Sequence, residues 1–336
     1  MPPRLVRTLT ALAEFRGKQA LWMQTRPEVL RALRTIAVIE SAESSSRMEN
    51  VEVGPQTFAR ILKNVEAPDP ESRSQSELAG YRDALNLIHQ NAADMPPTEG
   101  VDRQLHATLM RFTPGGGTYK TTDNDIVEKD SEGRIIRIRL RTSSPALTPI
   151  HVAELHEMLA AALADGEIEP LLLVLLYIHD LLCIHPFSDG NGRVARLLTG
   201  LLLHRIGHDV GRYVSLERLI EDTKETYCDS LAASDVGWPT GQHDHLPFTE
   251  YLLGIVLGAY RELEASTAMD LDHGARRRMV ERAVAALPAQ FRFADVAEKC
   301  PLVVPTTIRS VLSKLAREGR LVSEGRGRFA TWRQLS

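Results

Sequence analysis

The chain has 336 residues, 43% of them apolar and 25% charged, the proportions of a folded globular protein and not of a disordered, collagenous or coiled-coil chain. At about 150 residues per domain, this length accommodates two or three domains. Forty basic residues against 44 acidic ones give a net charge of -4, so bulk charge points to neither a nucleic-acid coat nor a membrane-surface binder.

Charged residues interrupt the first 22 positions every few residues, which predicts no secretory signal. The first part of the chain, through about Met95, reads as helical. Pro27 to Ile39 repeats apolar residues at helical spacing, as does Glu77 to His89 after a polar stretch. Pro96 and Pro97 close this region, and a further helix, Val101 to Phe112, ends before Pro114 and three glycines. Asp125 to Val127 and Arg134 to Leu140 then read as two strands of a hairpin around Lys129 to Gly133. Ile136, Ile138 and Leu140 alternate with Arg137 and Arg139, which predicts that one face is wet.

Helices return at Ile150 to Leu163, Pro170 to Ile184 and Arg193 to Ile206. The second is the most apolar run of the chain. With about fourteen residues and His179 and Asp180 inside it, it is too short to cross a membrane, which takes about 20 residues, and reads as a core helix. Three widely spaced cysteines, Cys183, Cys228 and Cys300, form no CxxC pair, so a reducing, cytoplasmic setting without membrane association is expected.

Between Arg276 and Ser336 thirteen basic residues face five acidic ones, a net of +8, which leaves 27 basic and 39 acidic residues for the rest. That asymmetry marks a separate module. Its pattern is a helix at Arg277 to Leu287, a helix at Phe293 to Lys299, a turn, and a helix at Thr306 to Glu318. Two β-prone runs follow, Leu321 to Ser323 and Phe329 to Trp332, flanking Gly325 to Arg328. This is the order of a winged helix-turn-helix with the third helix as reader and the arginine-bearing hairpin as wing. DNA is then one candidate partner of 276–336, through Arg309, Lys314, Arg317, Arg320, Arg326 and Arg328. Protein docking or dimerisation is the other use of such a fold.

The stretch richest in chemistry is Ile184-His185-Pro186-Phe187-Ser188-Asp189-Gly190-Asn191-Gly192-Arg193-Val194-Ala195-Arg196, between the apolar helix and the next. Pro186 stops the first helix, and Gly190 and Gly192 let the backbone turn tightly and approach a ligand. Free amides before a helix N-terminus suit an anion such as phosphate, and Arg193 and Arg196 can fork onto further oxygens. Asp189 offers the hard oxygen that Mg²⁺ takes, and His185 is the side chain able to accept a proton near neutrality. Taken alone, a histidine at a helix end also serves as a cap, and Gly-Asn-Gly as a plain turn. An EF-hand is excluded because the twelfth position from Asp189 is Gly200 and the fifth is Arg193, and a P-loop because no GKS or GKT follows the glycines.

These residues resemble the signature of the Fic family, HxFx(D/E)GNGRxxR, with all eight fixed positions met. The resemblance implies a mainly α fold, a Fic-type helical core with a β-hairpin flap, and the transfer of AMP from ATP to a Ser, Thr or Tyr hydroxyl of a target protein. It implies His185 as the base that deprotonates the hydroxyl and Asp189 as the holder of Mg²⁺. It also implies Gly190, Asn191 and Gly192 as the phosphate cradle and Arg193 and Arg196 as its neutralising charges. The hairpin, beginning at Gly117-Thr118-Tyr119-Lys120, resembles the family's flap, which pairs with the target backbone and covers the nucleotide. Many relatives have Arg where Lys120 stands. Tyr227-Cys228 resembles a family pair of tyrosines of which the first lines the adenine pocket, with Cys228 in place of the second. Tyr227 is otherwise read as core.

Ser45 and Glu49 lie four apart, on one helical face. With Asn50 they resemble the inhibitory (S/T)xxxE(G/N) motif that some Fic proteins carry before the core. There the glutamate pairs with the second signature arginine and blocks the seat of the γ-phosphate, so Glu49 is expected on Arg196. A serine-rich helix end followed by an acid is otherwise a common solvated cap. The resulting organisation is 1–100 as a helical region with the inhibitory helix, 101–265 as the Fic core and 276–336 as the winged-helix module. The relatives often self-associate through helical surfaces, so a homo-oligomer is expected, with no face marked in the sequence. A different class of reading is a DNA-binding regulator that uses the pocket to sense nucleotide, which has no need of His185. Removal of AMP, or transfer of another nucleotide, stays open, since a phosphate cradle does not read the base.

Overall fold

The computed structural model describes residues 2–49, 73–130, 132–268, 273–300, 303, 305–324 and 331–335. Asn50 and the Gly325 to Arg328 turn lie outside the described residues.

Helix α1 (Pro3–Thr25) and α2 (Pro27–Met48) each carry proline at their start, where its missing N–H costs nothing. The Pro27 to Ile39 pattern therefore continues unbroken to Met48. α2 packs against α3 (Arg73–Asn91) and α8 (Leu216–Asp222), and α1 against α10 (Leu246–Ala268). α4 (Glu99–Leu109) starts at Thr98, whose Oγ1 accepts the Val101 N–H, and it ends three residues before the expected Phe112.

The centre is built from α5 (Thr148–Asp165), α6 (Pro170–Ile184) and α7 (Asn191–Arg205). α6 is buried on almost every side, between α5 and α7, which is why it lacks the polar stripe of a surface helix. Its core includes Leu175 and Ile178, joined by Leu105 of α4, Phe187, Leu198 of α7 and Phe248 of α10. α9 (Lys224–Asp235) packs on α10. Among the described residues, no helix is long and apolar enough to cross a membrane.

The hairpin pairs β1 (Ile126–Lys129) with β2 (Ile135–Leu140) antiparallel. The isoleucine face is wet as well: Leu140 is buried, but Ile136 and Ile138 are 65% and 42% exposed. Only the base of the hairpin reaches the body, so alternation along β2 records two exposed faces. The register jumps between Ile126 and Val127, whose partners are Leu140 and Ile138. Arg139 is thus left at an irregularity of the kind that re-aims a side chain.

The last part forms a second core. α11 (His273–Ala285), β3 (Gln290–Arg292), α12 (Phe293–Lys299), α13 (Pro305–Arg317), β4 (Leu321–Glu324) and β5 (Thr331–Gln334) follow in that order. The sheet is antiparallel in the order β3-β5-β4. Val280, Phe291, Val296, Ile308, Leu312, Leu315 and Leu321 fill the interior. The three-residue β3 has too little alternation to be read from sequence. The fold is mainly α, a helical body with a small β-hairpin.

Candidate active site

α6 ends in a residue that ordinarily would be glycine. His185, at φ 55° and ψ 59°, is the one non-glycine residue with positive φ among the described residues. A left-handed non-glycine costs about 1–3 kcal/mol and persists only where its surroundings over-determine it. They do so here. The His185 N–H donates to the Leu181 carbonyl at 3.0 Å, and the Lys120 N–H donates to the Pro186 carbonyl at 2.9 Å. Lys120 Nζ donates to the Ile184 carbonyl at 3.2 Å and to Thr142 Oγ1 at 2.8 Å.

The next residues are clamped as firmly. Phe187 is fully buried and stacks on His106 with centroids 3.8 Å apart. Asn191 Nδ2 donates to the Phe187 carbonyl at 2.7 Å, while its Oδ1 accepts the Phe187 N–H at 2.9 Å. Asn124 Nδ2 donates to the carbonyls of Phe187 and Ser188. His106 Nδ1 accepts the Gly117 N–H, so its Nε2 carries the proton donated to the Asp189 carbonyl at 3.1 Å. Burial first, and then the nearby Arg193 charge, push His106 down to about 4, which keeps it neutral in this role. Residues 117–120 thus brace the loop and are not a strand of the hairpin. The side chain of Asn191 is likewise spent inside the loop, so any cradle it offers is its backbone.

The loop borders a cavity of about 310 Å³ lined by His185, Ser188, Asp189, Gly190, Asn191 and Gly192 together with Glu49, Asn124, Ile126, Arg139, Leu182, Leu231 and Asp235. His185 Nδ1 lies 3.2 Å from the Leu182 carbonyl, which can only accept. Nδ1 therefore carries the proton and Nε2 the lone pair. Burial, followed by the Lys120 and Arg139 charges, lowers His185 to about 4 against the opposing Leu182 hydrogen bond and Glu49. The imidazole is neutral, ready to accept a proton.

At the start of α7 the first intrahelical bond within this turn runs from the Val194 N–H to the Gly190 carbonyl. The amides of Asn191, Gly192 and Arg193 precede it, the usual anion seat of a helix N-terminus. Gly190 has φ 80°, and a Cβ at Gly192 would stand 3.2 Å from Glu49 Oε1 and 3.3 Å from Arg196 Nη1. A side chain there would press on that acid and base, which glycine avoids. Asp189 is half-exposed, with Oδ1 accepting the Gly190 N–H at 2.6 Å. A carboxylate so placed beside an anion seat fits Mg²⁺, which takes one or two carboxylates plus substrate phosphates.

Both arginines are buried and both are met by a carboxylate from elsewhere in the chain. Arg196 Nη2 donates to Glu49 Oε1 at 2.8 Å, and its Nε donates to Ser45 Oγ at 3.0 Å. Desolvation would lower the Arg196 pKa, but Glu49, with Tyr81 and Tyr227, outweighs it and raises it. Glu49 is held as the cap of α2, whose last turn is fastened by Lys224 Nζ on the Met48 carbonyl and by Arg47 on Glu221. Arg193 Nη1 donates to Glu77 Oε2 at 2.8 Å and its Nη2 to Asp189 Oδ1 at 3.3 Å. Tyr227 does not line the cavity. It is buried with Phe248 and Tyr251 beside the Arg196–Glu49 pair, and burial first pushes its hydroxyl up to about 12.

The structure brings His185, Asp189, Gly190, Gly192, Arg196, Ser45 and Glu49 together, and it pairs Arg193 with Glu77, a partner the sequence reading did not name. That reading misses Lys120, Asn124 and His106 as braces, and Arg139 and Asp235, which pair at 3.0 Å on the cavity wall. The one available signal was Arg139 in a row otherwise read as solvated.

A glycine turn between two buried helices, a left-handed histidine and a helix N-terminus flanked by two arginines meet at this cavity. Residues 98–203, from the cap of α4 through α7, match the Fic/DOC family and form a domain of that family. The family is one of transferases that move a nucleotide monophosphate onto proteins. Among solved structures, the fold is similar to a Fic family protein from Desulfovibrio desulfuricans G20, with TM-score 0.63, 20% identity, and coverage of 100% of this chain and 97% of that one. It is also similar to a Fic-domain-containing signaling protein from Bacteroides thetaiotaomicron VPI-5482, with TM-score 0.64, 23% identity, and coverage of 78% and 98%. A fragment of Fic-1 from C. elegans aligns with TM-score 0.56 and 19% identity over 77% of this chain and 71% of that one. No curated protein matches the chain.

Proposed function

We propose that the protein transfers AMP from ATP to a Ser, Thr or Tyr hydroxyl of a target protein and is restrained by its own Glu49. The observation that carries this reading is His185: a strained backbone, fastened by Lys120 and Leu181, that points a neutral imidazole with Nε2 unprotonated at a cavity ending in an anion seat. A nucleotide sensor needs the anion seat but not that base.

The target hydroxyl oxygen attacks the α-phosphorus and its proton passes to His185 Nε2. The bond from the α-phosphorus to the bridging oxygen breaks, and pyrophosphate leaves. The Asn191 to Arg193 amides and the α7 dipole orient the phosphates and offset their charge. Asp189 is the residue to hold Mg²⁺, which when bound neutralises phosphate oxygens. Arg193, fixed by Glu77, stands over Asp189 and keeps that carboxylate oriented. The exposed hairpin, with Ile136 and Ile138 open, is where an extended target segment pairs.

Glu49 occupies Arg196 and sets a carboxylate where the terminal phosphate has to sit, so ATP binds poorly until that pair opens. The segment 276–336 is read as a winged helix that presents Lys314 and Arg317 of α13, both exposed, to DNA phosphates. Incubation of wild type and Glu49→Gly with α-labelled ATP and Mg²⁺, followed by mass spectrometry, tests the reading. An AMP adduct joined through its 5'-phosphate on the chain or a co-purified protein, absent in His185→Ala, is expected. Absence of an adduct in Glu49→Gly overturns it.

A further inference from the structure

The most apolar helix of the chain carries two polar residues at its middle, and the active site uses neither. His179 and Asp180 of α6 face the loop before α10, where His243 and His245 stand two residues apart. His179 is fully buried, and the other three are partly exposed. His179 Nδ1 lies 2.9 Å from His245 Nδ1, and His243 Nε2 lies 2.8 Å from His245 Nε2. Asp180 Oδ1 is 3.8 Å from His243 Nε2, and one donor atom from each of the four residues falls within 4.8 Å of all the others.

Three imidazoles in such contact have more lone pairs and N–H groups than they can match, and His243 Nδ1 is buried with no partner. The contacts on their outer sides follow a different logic. His179 turns Nε2 to Asp235 Oδ1 at 3.4 Å, and Trp238 Nε1 donates to Asp180 Oδ1 at 2.8 Å. Metal-ligating histidines are held as His179 is, with one nitrogen toward the ion and the other turned to an outer partner, and metal-ligating carboxylates are themselves hydrogen-bonded, as Asp180 is by Trp238.

We infer that His179, Asp180, His243 and His245 form a binding site for a divalent transition metal of the zinc class. Three nitrogens and one carboxylate make a four-coordinate set, and imidazole selects zinc-like ions over Mg²⁺. The separations of 2.8, 2.9 and 3.8 Å bracket the edge of about 3.4 Å that a tetrahedron with bonds of about 2.0–2.1 Å requires. A single ion takes one nitrogen of His245, so loading turns that ring to bring the chosen nitrogen toward both neighbours. The partial exposure of His243 and Asp180 gives the ion its way in. The ion ties the start of α10 to the helix that ends, six residues after His179, at His185. Through Asp235 the site also touches Arg139 on the cavity wall.

The test is titration of the chelator-stripped full chain with Zn²⁺ against a chromophoric competitor in excess Mg²⁺, with Co²⁺ spectra and thermal unfolding in parallel. Wild type is expected to take one Zn²⁺ per chain that Mg²⁺ does not displace, to give a tetrahedral Co²⁺ spectrum and to melt higher when loaded. His243→Ala/His245→Ala is expected to lose all three, and Trp238→Phe, which keeps every ligand, to bind about 10- to 100-fold more weakly. Wild type that takes up no Zn²⁺ resistant to Mg²⁺, or a folded double variant that binds as wild type does, overturns the inference. Should the double variant not fold, unchanged affinity in Trp238→Phe together with no tetrahedral Co²⁺ spectrum in wild type overturns it equally.

Discussion

Glu49 Oε1 stands 2.8 Å from Arg196 Nη2, joining the end of α2 to the anion seat of α7 across 147 positions of sequence. A hydrogen bond to a charged group contributes about 1.5–3 kcal/mol. Releasing Arg196 to a terminal phosphate is therefore expected to raise AMP incorporation in Glu49→Gly by about 10- to 100-fold. Glu49→Gln keeps a hydrogen-bond acceptor without the repelling charge and is expected to fall between the two. Initial rates with α-labelled ATP check both.

The Asn191 amide satisfies the Phe187 N–H and carbonyl together. Asn191→Ala leaves the buried Phe187 N–H without its partner and the carbonyl with Asn124 alone, at about 1–3 kcal/mol for an unsatisfied group. The variant is expected to unfold at lower denaturant and to lose most transfer activity, because the His185 turn loosens with it. Urea unfolding and labelling on one preparation measure the two effects.

Burial and the Lys120 and Arg139 charges hold His185 near 4. A base works only unprotonated, so kcat/KM is expected to be flat through neutrality on its acid side and to fall as pH drops toward about 4. Lys120→Met removes one of the lowering charges. Its acid limb is expected to move to higher pH, which a pH series of initial rates in the two proteins resolves.

Asp189→Asn keeps an oxygen able to accept the Gly190 N–H but removes the carboxylate charge. The half-saturating Mg²⁺ concentration for transfer is expected to rise more than about tenfold with the melting temperature little changed. Chelation of Mg²⁺ is expected to silence wild type and Glu49→Gly alike.

Lys314 and Arg317 are exposed on α13. If α13 meets DNA phosphates, each substitution to Glu in the full chain is expected to weaken binding to random duplex and to lower the slope of log K against log salt by about 1. Fluorescence anisotropy over a salt series measures it. Absence of duplex binding at low salt removes this role from the segment.

Which features were legible follows from how far apart their causes lie in the chain. The loop from His185 to Arg196 was legible because proline, glycines and helix ends act within a few residues, and α6 from Pro170 to Ile184 could be bounded to the residue. Ser45 and Glu49 were legible as one helical face for the same reason. The pairing of Arg193 with Glu77 was not, since 116 positions separate them and no local pattern distinguishes Glu77 from other acids. Nor were Lys120, Asn124 and His106, which act on the loop through backbone carbonyls and rings brought near by packing.

By itself the sequence determined where backbone turns and helices fall and which side chains of the phosphate loop are offered together, because those follow from proline, glycine and 3.6-residue periodicity. Only the tertiary structure decided which of them are spent on holding the loop. Asn191 turns inward to Phe187, Ile136 and Ile138 stay in the open because the body ends beneath them, and His185 is held left-handed by Lys120 and Leu181. A backbone conformation that costs energy is retained only by contacts made from outside its own segment, and those exist once the helices have packed.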